Sequence, residues 1–223
     1  MTKNTITGIF KMEDVGELNP LLHVLEELRV DHTKNDEILF HSGGPIGKTS
    51  RFSMIPVLDD LRVVFRQPDD NTAPTDRNPL IGELDLRLTP PVLLEFQVRS
   101  GAGWTTTRNE SHVKLEAALQ SVSELEVLGS VDPSSGLSPG GFVGVLGYDL
   151  GQWTSQMRMK NTPEHNEVLG VLWRTKGWII HDRKESSITT LGHSPMSAEK
   201  VRLSVKGITE TMRFDAPSTL ESE

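Results

Sequence analysis

The 223-residue chain contains no cysteine. Disulfides, thiolate metal sites and thiol nucleophiles are therefore excluded. Aromatic residues make up only 5% of the sequence, with a single tyrosine. There is no basic excess: 23 Lys and Arg stand against 31 Asp and Glu, a net charge of −8. That balance argues against nucleic acid or an anionic membrane as a main partner. No apolar run approaches the roughly 20 residues that span a bilayer, and Met1 to Phe10 lacks the apolar centre of a signal peptide. The histidines (His23, His32, His41, His112, His165, His181 and His193) show neither H-x-x-H nor H-x-x-x-H spacing, so no metal site is expected. With 35% hydrophobic and 24% charged residues, the composition suits an acidic, globular, cytoplasmic protein. Its length allows one substantial core or two small ones.

What is present is concentrated in one place. Gly140 to Gly151 (GGFVGVLGYDLG) holds five glycines and the chain's only tyrosine. Aliphatic and phenyl side chains interleave with the glycines, so this is no flexible linker. Glycine inside an apolar run marks close approach of another backbone or a ligand. The segment reads as a buried strand or strand-to-turn piece. Gly140, Gly141, Gly144, Gly147, Tyr148 and Asp149 are expected to be structural.

Elsewhere, Asn19-Pro20 followed by Leu21, Leu22, Val24, Leu25 and Leu28 predicts a helix, with Asn as cap and Pro in the first turn. Short strands are expected at Glu37–Phe40, from Phe52 to Ile55, at Leu61–Phe65, at Leu84–Leu88 with Val92–Val98 as its partner, and at Ile188–Leu191. Gln67 to Pro79 reads as a surface loop. Apolar spacing predicts an amphipathic helix over Ser111 to Leu128. Val131 to Pro139 reads as a further loop. Val168–Trp173 and Gly177–His181 are expected to form a hairpin around Thr175-Lys176, and a last helix is expected from Ser194-Pro195 to about Met212. Many strands without regular strand–helix alternation predict an α+β fold, with mostly antiparallel β-sheets packed as a sandwich and helices on the outside. A single domain over residues 1–213 and a disordered acidic tail over 214–223 complete the expected organisation.

Ser42 to Thr49 (SGGPIGKT) nearly matches the phosphate-loop pattern, in which Lys48 would reach phosphate oxygens and Thr49 a magnesium ion. The first glycine is replaced by Ser42, and Pro56 would break the helix that must follow. Nucleotide binding is thus the weakest of the functional readings. The same residues also suit a small amphipathic ligand: Ser42, Ser50 and Arg51 are polar, and Phe52 offers an aromatic wall. The plainer alternative is that Arg51 makes an ordinary salt bridge and the serines satisfy loop backbone.

Ile38–Gly43, Thr49–Ile55 and Gly140–Gly151 occur in the order found in a known family. Together they resemble the N-terminal region of the anthranilate synthase / aminodeoxychorismate synthase component I family. That region carries a Leu-Leu-(Glu or His)-Ser strand, a Ser-Arg-(Phe or Tyr) strand and a Gly-Gly-x-x-Gly-x-x-Gly-Tyr-Asp segment. Trp178 to Asp182 looks like the family strand that leads to an Asp-His turn. His41 before Ser42 is similar to the aminodeoxychorismate branch. Gln152 and Trp153 depart from the arginine-rich stretch that commonly follows.

The resemblance implies a tryptophan-binding pocket lined by Ser42, Thr49, Ser50, Arg51 and Phe52. It implies a non-catalytic role, because the family's chorismate chemistry and its magnesium belong to a second domain. No catalytic residue and no cofactor is assigned in this chain. The implied partners are a chorismate-binding domain or subunit, a glutamine amidotransferase subunit and L-tryptophan. A stand-alone small-ligand or regulatory module that kept the fold is the alternative.

Overall fold

A computed structural model describes residues 6–11, 20–31, 37–47, 50–67, 91–101, 103–126, 136–154 and 166–192. The fold is α+β, with mostly antiparallel strands and few helices. The elements are β1 (Ile6–Lys11), α1 (Pro20–Asp31), β2 (Phe52–Arg66), β3 (Val92–Ser100), β4 (Gly103–His112), α2 (Leu115–Ser123), β5 (Gly141–Leu146), a 3-10 helix (Tyr148–Trp153), β6 (Val168–Asp182) and β7 (Ser187–Gly192). The described residues fall into two compact units. One draws on Met1–Leu58, Gly129–Pro139 and Lys176–Glu223, the other on Asp59–Leu128 and Gly140–Thr175.

In the first unit β1 pairs with β7, and β7 with the end of β6. The Arg183 N–H donates to the Arg51 carbonyl at 3.0 Å, which sets the start of β2 beside the end of β6. Leu21 and Val24 of α1 are fully buried with Ile55, Val57, Ile179 and Ile188. Their spacing on α1 is the apolar stripe that the sequence predicts. Each such side chain contributes about 1.5–3 kcal/mol through burial.

In the second unit β2 pairs with β3, β3 with β4, and β5 with the start of β6. Phe65, Val63, Leu94 and Phe96 build the core with Leu115, Ala118 and Val122 of α2 and with Leu150 and Trp153 of the 3-10 helix. Asp59 accepts from Arg174 through Nε at 2.9 Å and through a terminal guanidinium nitrogen at 2.6 Å.

Several expectations are corrected. The strands foreseen at Phe52–Ile55 and Leu61–Phe65 are one strand, β2, which carries Pro56 inside it. Met54 exchanges both backbone bonds with Phe40. Pro56 shares its phase, so its missing N–H lies on the side away from β6 and no ladder bond there is lost. The strand foreseen at Glu37–Phe40 is reduced to that single bridge. The hairpin around Thr175-Lys176 does not form, because β6 runs unbroken from Val168 to Asp182. Thr-Lys lacks the Gly or Asn that a two-residue turn with positive φ requires. The helix foreseen over Ser111–Leu128 begins only at Leu115, since Ser111 and His112 pair with Leu93 and Val92.

β4 was not foreseen. It is polar and mostly exposed, and cross-strand contacts hold it. Arg62 and Arg99 lie 4.4 and 4.6 Å from the Trp104 ring centre, and the Thr107 hydroxyl donates to the Phe96 carbonyl at 3.1 Å. β3 is flanked by β2 and β4. The expected strand at Leu84–Leu88, most of the loop over Gln67–Pro79, the start of the loop at Val131, the helix from Ser194 and the tail 214–223 lie outside the described residues.

Candidate functional site

Ser42 to Gly47 forms a loop, and Ser50 and Arg51 lead directly into β2, which begins at Phe52. Short polar contacts fix its shape. The Ser42 N–H donates to Ser53 Oγ at 3.0 Å, and the Ser42 hydroxyl donates to the Phe52 carbonyl. The Ser50 hydroxyl accepts from the Gly47 N–H at 2.9 Å and donates to the Pro45 carbonyl. Arg183 reaches across from the β6–β7 turn and donates to the carbonyls of Ser50 and Gly44, both at 2.8 Å. Gly44 adopts φ +72°, a conformation in which glycine carries no side-chain penalty.

Arg51 forms a bidentate pair with Asp182, with Nε 2.9 and 3.0 Å from the two carboxylate oxygens and a terminal nitrogen closing the second arm. Its guanidinium also lies 4.8 Å from the Phe52 ring centre. The hydrogen bond to Asp182 raises the Arg51 pKa above its ordinary value. Burial pushes the Asp182 carboxyl up. Bonds from Arg51 and from the N–H groups of Glu185 and Lys184 outweigh that and hold it below the usual range.

Ser42, Ser50, Arg51 and Phe52 thus come together on one loop–strand. Thr49 and Lys48 lie outside the described residues. The polar side chains are engaged within the protein, as in the ordinary salt-bridge alternative. Beside them, Phe40 and Trp178 stack obliquely with centroids 6.4 Å apart, and Phe40 is 39% exposed. Trp178 Nε1 donates to the Ser138 carbonyl at 2.8 Å. An amphipathic ligand approaching here would meet aromatic surface and the exposed backbone of Gly43 to Gly47. The loop runs into a strand, so the helix N-terminus that a phosphate loop needs is not formed at that position.

The glycine-rich run is a strand followed by a 3-10 turn, as expected. It is only partly buried. Val143 and Leu150 are enclosed, whereas Val145, Leu146 and Tyr148 are 69, 42 and 81% exposed. Gly144 and Gly147 lie against the backbone of β6, and Gly141 takes φ +127°. Gly140 precedes the strand, and Asp149 stands in the first turn of the 3-10 helix.

Two further arrangements are not apparent from the sequence expectations. Gly136-Leu137-Ser138-Pro139-Gly140 has the G-x-S-x-G spacing. A nucleophile elbow requires a strand before the serine and a helix after it; here β5 follows. The second is a cluster of Glu110, His112 and Ser121. His112 Nε2 stands 3.1 Å from the Glu110 carboxylate and 3.3 Å from Ser121 Oγ. A serine–histidine–carboxylate relay uses both ring nitrogens, whereas here one nitrogen meets both partners.

Among the described residues no group of three or more His, Cys, Asp or Glu could hold a metal ion, and no helix is long and apolar enough to cross a membrane. No protein-family profile matches this chain, and no curated protein matches its sequence.

Proposed function

We propose that these residues form the N-terminal, non-catalytic domain of a protein of the aminodeoxychorismate synthase / anthranilate synthase component I type. In this reading the domain scaffolds a chorismate-binding domain or subunit, works with a glutamine amidotransferase subunit in the cytoplasm, and binds L-tryptophan. Magnesium and the conversion of chorismate, for folate or tryptophan biosynthesis, belong to the chorismate-binding part. The observation that carries the reading is the shared order of three motifs: the Ser42 loop, the Ser50-Arg51-Phe52 strand and the Gly140–Gly151 segment. The first two meet through the Ser42–Phe52 and Ser42–Ser53 bonds, which supports a single recognition element.

The ligand would place its indole against aromatic surface at Phe52 and Phe40. Its amino-acid end would meet the polar residues Ser42, Thr49, Ser50 and Arg51. Isothermal titration with L-tryptophan tests this directly. Binding that Phe52→Ala weakens supports the reading. No heat of binding, with or without the chorismate-binding part supplied in trans, rules out the ligand.

The second reading is a stand-alone small-ligand or regulatory module. It is favoured by Trp153, which departs from the family's usual stretch and is buried in the core at 3% exposure. Co-purification from the native cell extract separates the two. An amidotransferase or chorismate-binding subunit favours the first, an unrelated partner the second.

A further inference from the structure

β5 is bonded to β6 along one side, and among the described residues no strand is bonded to its other side. The Gly147 N–H donates to the Leu169 carbonyl at 2.7 Å. Antiparallel ladders alternate bonded and non-bonded pairs. Gly141, Val143 and Val145 share the phase of Gly147 and spend their N–H and C=O groups on β6. Phe142, Gly144 and Leu146 turn theirs outward. Side chains on this edge are also open: Val145, Leu146 and Tyr148 are exposed, and so is Val168 at the start of β6.

Proteins usually blunt a free edge with lysine, proline or a bulge. β5 has no lysine or proline, and its ladder with β6 shows no register shift. Gly140 to Tyr148 carries no charge at all.

We propose that β5 pairs antiparallel with β5 of a second copy of this chain, about a two-fold axis at Gly144. Two features select that occupant. The chain carries a net charge of −8, so copies repel over much of their surface, and this neutral run is where they can meet without like-charge contact. An antiparallel strand edge is also its own complement, which is the condition for an isologous dimer. With the axis at Gly144, Phe142 faces Leu146 of the second copy, and every outward N–H meets an outward carbonyl. Val145 then lies beside Val143 of the second copy and gains an apolar neighbour. A slip of one residue would set outward groups against groups already spent on β6. This inference uses no residue of the Ser42–Phe52 segment and stands apart from the ligand reading.

Sedimentation equilibrium of the full chain tests it, with Val145→Lys and Leu146→Pro as variants. Leu146→Pro removes an outward N–H and no bond to β6; Val145→Lys leaves the backbone untouched and sets like charges across the axis. The wild type is expected at twice the chain mass, and both variants at the chain mass with an unchanged circular dichroism spectrum. Should Leu146→Pro fail to fold, Val145→Lys alone decides. A wild type that stays at the chain mass at every concentration overturns the proposal. So does a dimer that survives in a folded Val145→Lys.

Discussion

A methyl group on Gly144 would stand 1.9 Å from the Val171 carbonyl oxygen and 2.9 Å from the Leu172 Cα. On Gly147 it would stand 2.7 Å from the Leu169 carbonyl oxygen, and on Gly170 2.9 Å from that of Val145. These glycines are there because the backbones of β5 and β6 nearly touch, not because the strand needs an unusual φ. Backbone cannot rotate aside as a side chain can, so Gly144→Ala should destabilise the protein by about 1–3 kcal/mol, the usual cost of overpacking. Gly151→Ala, with open space around the added methyl, is the control. Urea denaturation compares the two, and equal midpoints would refute close approach as the reason for Gly144. The sequence signalled this correctly, because glycine weakens an apolar strand unless something must come close to it. It misjudged Tyr148, expected to hold structural contacts and found 81% exposed.

β6 is the element on which sequence and structure differ most. A hairpin turn at Thr175-Lys176 would tolerate one more residue by lengthening the loop. A continuous strand cannot, because a one-residue slip sends every later side chain to the opposite face. Inserting one alanine after Lys176 should therefore swap Ile179 and His181 with Ile180 between the two buried faces of β6, misfit both and abolish cooperative unfolding. Thermal melting followed by circular dichroism reads this, and a wild-type melting curve for the insertion variant would restore the hairpin. α1 and β7 were legible because a capped leucine stripe and a short β-branched run each have one interpretation. β4 was illegible because Thr105, Thr106, Thr107, Arg108 and Asn109 follow no apolar period. Its strand conformation comes from its neighbour β3 and from the contacts of Trp104 with Arg62 and Arg99. The apolar period extends the helix after it too far forward, since Val113 fits that period yet is 50% exposed ahead of α2.

At the scale of the molecule, two neighbours in sequence make stability depend on acid, each in its own way. Burial, and then Arg183, push the His181 imidazole below its ordinary value against the opposing pull of Asp182. The unfolded chain takes up that proton below about pH 6.5, while folded His181 stays neutral. Stability therefore falls as pH drops from about 6.5 toward the lower folded value. Asp182 behaves differently. Its depressed carboxyl contributes stability above the unfolded value of about 3.9, which is lost as pH falls through the folded value. Urea midpoints across a pH series should show two stages of loss. His181→Gln should remove the first and keep the second. Asp182→Asn should lower stability at neutral pH and converge on the wild type in strong acid. A His181→Gln profile parallel to the wild type between about pH 5 and 7 would exclude the histidine as the cause.

The sequence by itself determined what depends on composition and short-range spacing. It excluded thiol chemistry, set the acidic charge, pointed to the antiparallel α+β class, placed the leucine stripe of α1 and marked the close-packed glycines. Tertiary structure alone decided that Arg51 meets Asp182, 131 positions away, that β6 passes straight through Thr175-Lys176, that a polar segment becomes β4, and that, among the described residues, one edge of β5 is bonded to no strand. Each of these depends on which backbone lies alongside, and partners far apart in the chain leave no period in the sequence.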